Sequence, residues 1–284
     1  MYKEYYGLSA DPFRISADHS NLYFHPSFTK ARSYVQYALH NTEGVVLMTG
    51  DAGTGKSSLI NSVIGSGSDL NLSAAIIECT DYTGAELLGY YARILGADEI
   101  KPDVTHAMFS ISDSLKRLHD QGKRAVLVLD EAQQLTEDAL QKLTLLANLQ
   151  AKGEPLVQLF LVGQTGLRET LLLPQLEQLH QRLVATCHVE VLDVDETKEY
   201  ILQNLRSANW NNNPAIASNV YTAVHRSSLG IRRWINLICS RLMLHAIAND
   251  REELELPDLC EVLSDLIREG LLPQEIRQTN LKAA

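Results

Sequence analysis

The sequence predicts an α/β chain: a parallel sheet with helices on its faces, followed by an all-helical domain. Three observations predict it. Five short runs rich in Val, Leu and Ile alternate with amphipathic stretches, the pattern of a parallel sheet with crossover helices. From about Asp195 the strand-like runs stop and only helical periodicity continues. The first apolar run also leads through a glycine-rich loop straight into a helical pattern. At 284 residues the chain can form one large domain or two smaller ones and bury a substantial core.

Taken in order, residues 1–43 read as an aromatic-rich segment and a helix packing on the core. The α/β domain is expected over 44–194. Its strands are "GVVLMTG" from Gly44, "AAIIECT" from Ala74, "AVLVLD" from Ala125, "VQLFLVG" from Val157 and "VATCHVEV" from Val184. Such continuous apolar runs suit strands covered on both faces. Between them, "GAELLGYYARIL" and "TEDALQKLTLLANLQ" read as helices. Thr136 is the N-cap of the second, with Glu137 and Asp138 in its dipole-favoured first turn. Residues 195–268 read as four helices: "DETKEYILQNLRSA", "PAIASNVYTAVHRSS", "IRRWINLICSRLMLHAIAN" and "PDLCEVLSDLIREG". The remainder, 269–284, has weak periodicity and is expected to be a flexible tail.

The formal net charge of -10 gives no long-range attraction to nucleic acid or to an anionic membrane. DNA is therefore a possible partner that the charge does not favour. No stretch reaches the roughly 20 apolar residues of a membrane span, and the N-terminus lacks the apolar core of a secretory signal. The cysteines, Cys79, Cys187, Cys239 and Cys260, are far apart and sit in apolar runs, so they read as buried free thiols. A reducing, cytoplasmic location is the expectation.

The loop after the first strand, "GDAGTGKSS", matches G-x-x-x-x-G-K-[ST]. Glycines let backbone N–H groups turn inward to cradle phosphates, the lysine reaches the β- and γ-phosphates, and the hydroxyl helps hold Mg2+. Gly50, Asp51, Ala52, Gly53, Thr54, Gly55, Lys56, Ser57 and Ser58 are the expected nucleotide-binding residues. In "AVLVLDEAQQL", Asp130 ends a hydrophobic strand and suits a Mg2+ ligand. Glu131 follows and suits a base that orients or deprotonates the attacking water, which argues for hydrolysis. No guanine-reading N-K-x-D element is present, so the expected cofactors are ATP and Mg2+. Gln164 ends the fourth strand, where it can contact the γ-phosphate or cap the loop. Arg182, before the fifth strand, can complement its own helix C-terminus or reach a neighbouring subunit's ATP as a finger, with Arg168 the other candidate. Arg232 and Arg233 stand at a helix N-terminus, where cations are disfavoured, so an anion is expected there.

The blocks "YYGLSADPFRISADHSNLYF", "TGDAGTGKSSL", "LVLDEAQQL", "LFLVGQTGLRE", "QLHQRL" and the helix from Gly230 to Asn236 follow one another through nearly the whole chain. In this the chain resembles the AAA+ ATPases of the ExeA-like, general-secretion-pathway A type. The resemblance implies a five-stranded sheet of order 5-1-4-3-2 with a helical lid. It makes Asp130 and Glu131 the Walker B pair, Gln164 sensor 1, Arg182 the finger acting in trans and Arg233 sensor 2, facing the γ-phosphate. Arg232 stands where proline is frequent in the group, and a surface ion pair is its default role. Phe28-Thr29-Lys30-Ala31 departs from the usual His-x-Glu-Ala element, leaving Tyr23, Phe24 and His25 to wall the adenine or simply to pack. The implied activity is ATP hydrolysis by a homo-oligomer, a ring or a filament, that drives or gates assembly of an envelope machine for secretion, pilus formation or exopolysaccharide export. Its protein partner would belong to that assembly. The alternatives are a DNA-associated regulator of the transposition-ATPase type, and an ATP-binding platform with little turnover.

Overall fold

The computed structural model describes residues 2–14, 23–41, 44–66, 71–97, 103–273 and 276. In chain order its principal elements are α1 (Pro26–Asn41), β1 (Val45–Gly50), α2 (Lys56–Ser66), β2 (Leu72–Glu78), α3 (Gly84–Ile94), α4 (Val104–Asp120), β3 (Arg124–Asp130), α5 (Glu137–Ala147), β4 (Val157–Gly163) and β5 (Leu183–Val189). There follow α6 (Val194–Ser207), α7 (Ser218–Ser228), α8 (Arg232–Ala248) and α9 (Leu256–Arg268). The chain divides into two compact units, one of Pro26–Asp51 and Leu59–Val189, the other of Met1–His25, Ala52–Ser58 and Glu190–Ala284. No described helix is long and apolar enough to cross a membrane.

The first unit holds a parallel sheet of order β2-β3-β4-β1-β5, the expected 5-1-4-3-2. Val45 pairs with Leu159, and Ala125 with Val157, so β4 lies between β1 and β3. Side chains alternate across a strand. Val45, Leu47, Leu127, Leu129, Leu159 and Leu161 enter one core with Leu87, Leu88 and Tyr91 of α3 and Leu140 and Leu143 of α5. Val46, Met48, Val126, Val128, Phe160 and Val162 between them are buried as well. Two carbonyls at the end of α1 are bonded from the sheet. Gln158 Nε2 donates to the Ala38 oxygen at 2.8 Å, and Arg124 donates to that of Leu39. Both groups would otherwise be left without intrahelical partners at a helix C-terminus.

Covering on both faces holds for β1, β3 and β4 but not for the edges. Along β5 every second residue is exposed as far as Cys187–His188, and Ile76 of β2 is 43% exposed. An edge strand can be apolar in sequence and still have one face uncovered. The cysteine expectation also needs correction. All four are free, but only Cys79 and Cys239 are buried, whereas Cys187 is intermediate and Cys260 exposed. Cys260 sits on the outer face of α9, whose Leu259, Val262, Leu263 and Leu266 turn inward.

The second unit contains α6 to α9 around its own core, with Leu205, Ile235, Ile238, Leu242 and Leu259 among the buried residues. The N-terminal segment contributes Tyr6, Leu8 and Phe13 to this core, and the backbone N–H of Ser9 donates to the Ala208 oxygen at 2.9 Å. Leu272 and Ile276 are buried in the same core, while residues 274–275 and 277–284 of the expected tail lie outside the described residues. Asp193 and Glu196 form a capping box at the start of α6, satisfying two donors that the helix itself cannot. The helix over "PAIASNVYTAVHRSS" starts later than its sequence pattern, at Ser218. Ala215–Ile216 instead pair in parallel with Glu253–Leu254.

The turn from α7 to α8 sets where the paired arginines begin. Leu229 ends α7 in the left-handed region and Gly230 follows with φ +70°. The Gly230 oxygen accepts from Leu192 N–H at 3.0 Å, and a Cβ on Gly230 would lie 2.0 Å from the Leu192 oxygen. Gly230→Ala is therefore expected to destabilise the fold by at least about 2 kcal/mol. Urea denaturation checks this, with a lowered midpoint at unchanged slope as the expected result.

Candidate nucleotide-binding site

Gly50 ends β1 at the carboxyl edge of the sheet, the edge at which open α/β sheets bind ligands. β4 reaches that edge beside it, with Thr49 opposite Gly163 and Gln164 next in the chain. β3 reaches it one strand further on and ends at Asp130. The ends of β1 and β3 are thus two strand spacings apart, roughly 10 Å.

The loop Ala52–Ser58 belongs to the second unit and has the build of a phosphate cradle. Gly53 and Gly55 take φ values of +84° and +97°, which side-chain-bearing residues rarely adopt. Thr54 and Lys56 are buried, Lys56 being only 4% exposed. α2 begins at Lys56 and has no acidic residue in its first turn, and the partial positive charge of a helix N-terminus favours an anion. Backbone, ammonium and helix end all suit a polyphosphate. α8 closes on the same loop. Arg233 N–H donates to the Gly53 oxygen at 3.3 Å, and a Cβ on Gly53 would lie 2.8 Å from Arg233 Cβ.

Around Asp130 the electrostatics reverse. The Cys79 N–H donates to the backbone carbonyl oxygen of Asp130 at 2.8 Å, and the Cys79 thiol is pushed up to about 12 by burial and then by the carboxylates of Asp130, Glu131 and Glu78. Burial and the neighbouring carboxylates thus hold the Cys79 thiol protonated. Mg2+ is typically bound through one or two protein oxygens, with phosphates and water completing its shell. The carboxylate of Asp130, at the end of β3, is an oxygen donor of that type. Glu131 adopts the left-handed conformation (φ 53°, ψ 37°) and opens a short 3-10 turn, Ala132–Gln134. Its N–H donates to Asp130 Oδ1 at 2.9 Å, and its carboxylate accepts from Gln133 Nε2 at 2.6 Å. Gln133 Oε1 in turn accepts the N–H of Gln164 at 3.0 Å. Sequence reasoning missed Gln133. The only available signal was a polar residue two positions after Glu131.

The remaining candidates separate. The side chain of Gln164 is exposed, as is that of Arg168 in the short helix Gly166–Thr170. Arg182 immediately precedes β5, at the opposite edge of the sheet from Gly50 and Asp130. Its guanidinium donates to the Ala147 oxygen at 3.3 Å and to Asn148 Oδ1, at the C-terminus of α5 rather than of its own helix.

The adjacent arginines also diverge. Arg233 is exposed, its guanidinium carbon 5.5 Å from the centre of the Trp234 ring. Arg232 does not stay at the surface, as its default role required. It is buried, donates from Nη2 to the Tyr23 oxygen at 2.8 Å and lies 5.7 Å from the centre of the Tyr200 ring. It braces the segment before α1 against the helical unit. Tyr23 stacks on His25 at 6.2 Å, and burial followed by the Arg232 charge lowers the His25 pKa to about 4, so this imidazole is neutral. Phe24 is 43% exposed.

Similarity to known proteins gives the family and the fold. A family described as "AAA domain" matches residues 39–171. General secretion pathway protein A of Aeromonas hydrophila is 33% identical over 249 residues, covering 87% of this chain but only 45% of its own length. The chain therefore spans about half the length of that relative. Among solved structures, the Aeropyrum pernix ORC2 protein in its ADPNP-ADP complexes superimposes with a TM-score of 0.68 at 14% identity, over 90% of this chain and 71% of that one. The Aeropyrum pernix ORC1 protein in complex with DNA gives 0.68 at 15% identity, over 93% of this chain and 73% of that one. At such identities these two likenesses concern the fold.

The divergence of the arginines is directly testable. Arg232→Met leaves the Tyr23 carbonyl without its donor and is expected to cost about 1–3 kcal/mol in stability. Arg233→Met should change it by no more than about 0.5 kcal/mol. Parallel denaturation curves of the two variants measure the contrast.

Proposed function

We propose that this chain, which belongs to the AAA+ P-loop ATPases of the general-secretion-pathway A type, binds MgATP and hydrolyses it at contacts between its own copies. The observation that carries the reading is the cradle at the end of β1. It combines left-handed Gly53 and Gly55, a buried Lys56 and a helix start without carboxylates. The acidic end of β3, with Asp130 and Glu131 next to one another, stands on the same sheet edge as Gly50.

In this scheme Lys56 and the loop N–H groups hold the phosphates. Mg2+, on Ser57 and Asp130, would neutralise charge on the β- and γ-phosphates. Glu131 orients a water and accepts its proton as that water attacks the γ-phosphorus, releasing ADP and phosphate. Gln164 and Arg233 read the γ-phosphate. Arg182 cannot serve the site of its own chain, because it precedes β5 and a seven-residue strand spans roughly 20 Å. A second copy brings it to the site as a finger, and hydrolysis is thereby coupled to association. The name of the Aeromonas relative supports a role in assembling or gating an envelope machine, with a partner in that machine. The widely spaced free cysteines support a reducing, cytoplasmic location.

Three variants test the scheme. Lys56→Ala should bind a fluorescent ATP analogue at least about 100-fold more weakly. Glu131→Gln should bind it normally, hydrolyse at least about 100-fold more slowly and remain associated with ATP in size-exclusion chromatography. Arg182→Ala should also bind normally yet lose at least about 100-fold in kcat. Normal turnover by Arg182→Ala would remove it as the finger, and dissociation of Glu131→Gln with ATP bound would contradict coupling to association.

A further inference from the structure

The Gln133 side chain uses both ends of its amide, and nothing in the scheme above employs it. Nε2 donates to Glu131 Oε2 at 2.6 Å, while Oε1 accepts from the backbone N–H of Gln164 at 3.0 Å. These partners fix the orientation of the amide. Turning it over would set the amide oxygen against the Glu131 carboxylate and the NH2 group against a second N–H donor. The close approach is built into β4, whose last residue is Gly163. A Cβ there would lie 2.6 Å from Gln133 Oε1 and 2.8 Å from Leu167 Cδ2. Glu131 itself is held in the left-handed region, which few residues other than glycine, asparagine and aspartate take.

We infer that Gln133 is a positioning residue that ties the carboxylate of Glu131 to the backbone at Gln164. The inference rests on the reading of Glu131 as the water-activating base. A carboxylate has about four acceptor directions. Gln133 occupies one of these on Oε2 and leaves both on Oε1 open to water. The tie also has a consequence for timing. Any shift of the Gln164 backbone on contact with a γ-phosphate is transmitted through one rigid amide plane to the base. Misplacement of a reacting group by about 1 Å can cost about 100-fold in rate, so a single amide at this point has leverage over turnover without touching ATP.

Two variants separate the halves of the tie. Gln133→Glu keeps size and the acceptor for Gln164 N–H but puts an oxygen against the Glu131 carboxylate. Gln133→Met removes both bonds. For each, kcat and KM for MgATP would be measured, together with equilibrium binding of a fluorescent ATP analogue. Amide exchange at Gln164 would be followed in the nucleotide-free protein, and Glu131→Gln run alongside. The expected result is a kcat loss of about 10- to 100-fold in both Gln133 variants, with analogue affinity within about twofold of the parent. Gln164 exchange should quicken about tenfold in Gln133→Met and stay protected in Gln133→Glu. If Glu131→Gln is inactive while Gln133→Glu keeps full kcat, the positioning role is overturned and the role of Glu131 stands. Affinity falling in step with kcat would also overturn it, since that marks general damage to the site. Parental turnover by Glu131→Gln would overturn both readings together.

Discussion

The candidate site depends on one constraint, the parallel pairing of β4 with β1 on one side and β3 on the other. Parallel strands send all their carboxyl ends to one edge. Gly50, Asp130 and Gln164, far apart in the chain, reach that edge together. The amino ends go to the opposite edge, and there Arg182 enters β5. One hydrogen-bonding pattern thus gathers Gly50, Asp130 and Gln164, which the proposed scheme assigns to the phosphates, and separates them from Arg182. Burial holds the three central strands in register, because slipping any of them by one residue would exchange its two buried faces.

The second unit adds a smaller constraint around Gly53. With φ +84° and Arg233 Cβ in the space its own Cβ would occupy, this glycine admits the start of α8 against the loop. Arg232 and Arg233 then face different surroundings although they are adjacent. One step along a helix turns a side chain by about 100°, enough to send Arg232 inward to Tyr23 and Tyr200 and leave Arg233 exposed. The burial of Arg232 is sustained by a carbonyl and an aromatic face, so the brace it makes is specific to arginine geometry.

Much of the fold was legible because its signals are local. The strand from Val157 to Gly163 follows its apolar run residue for residue, and α3, α6, α8 and α9 begin and end within two residues of their periodic stretches. The glycine-rich turn was equally plain, since Gly50, Gly53 and Gly55 lie close together in the chain and two of them take positive φ. What could not be read was set by partners distant in sequence. Tyr23 lies 209 positions before Arg232, and no local pattern announces that the second arginine of a helix turns outward while the first is buried. Gln133 meets Gln164 across 31 positions, through a contact that exists only because β3 and β4 are neighbours. The exposure of Ile76 and of the outer face of β5 follows from edge position, which composition does not encode.

In the proposed scheme a second copy of the chain completes the site. The most direct test is the steady-state ATPase rate per protomer across a wide range of protein concentration, at saturating MgATP. If Arg182 of a second copy completes the site, specific activity climbs with concentration and levels off as the copies associate. A substantial rate that stays constant down to the most dilute sample would contradict it, because each chain would then hydrolyse ATP alone.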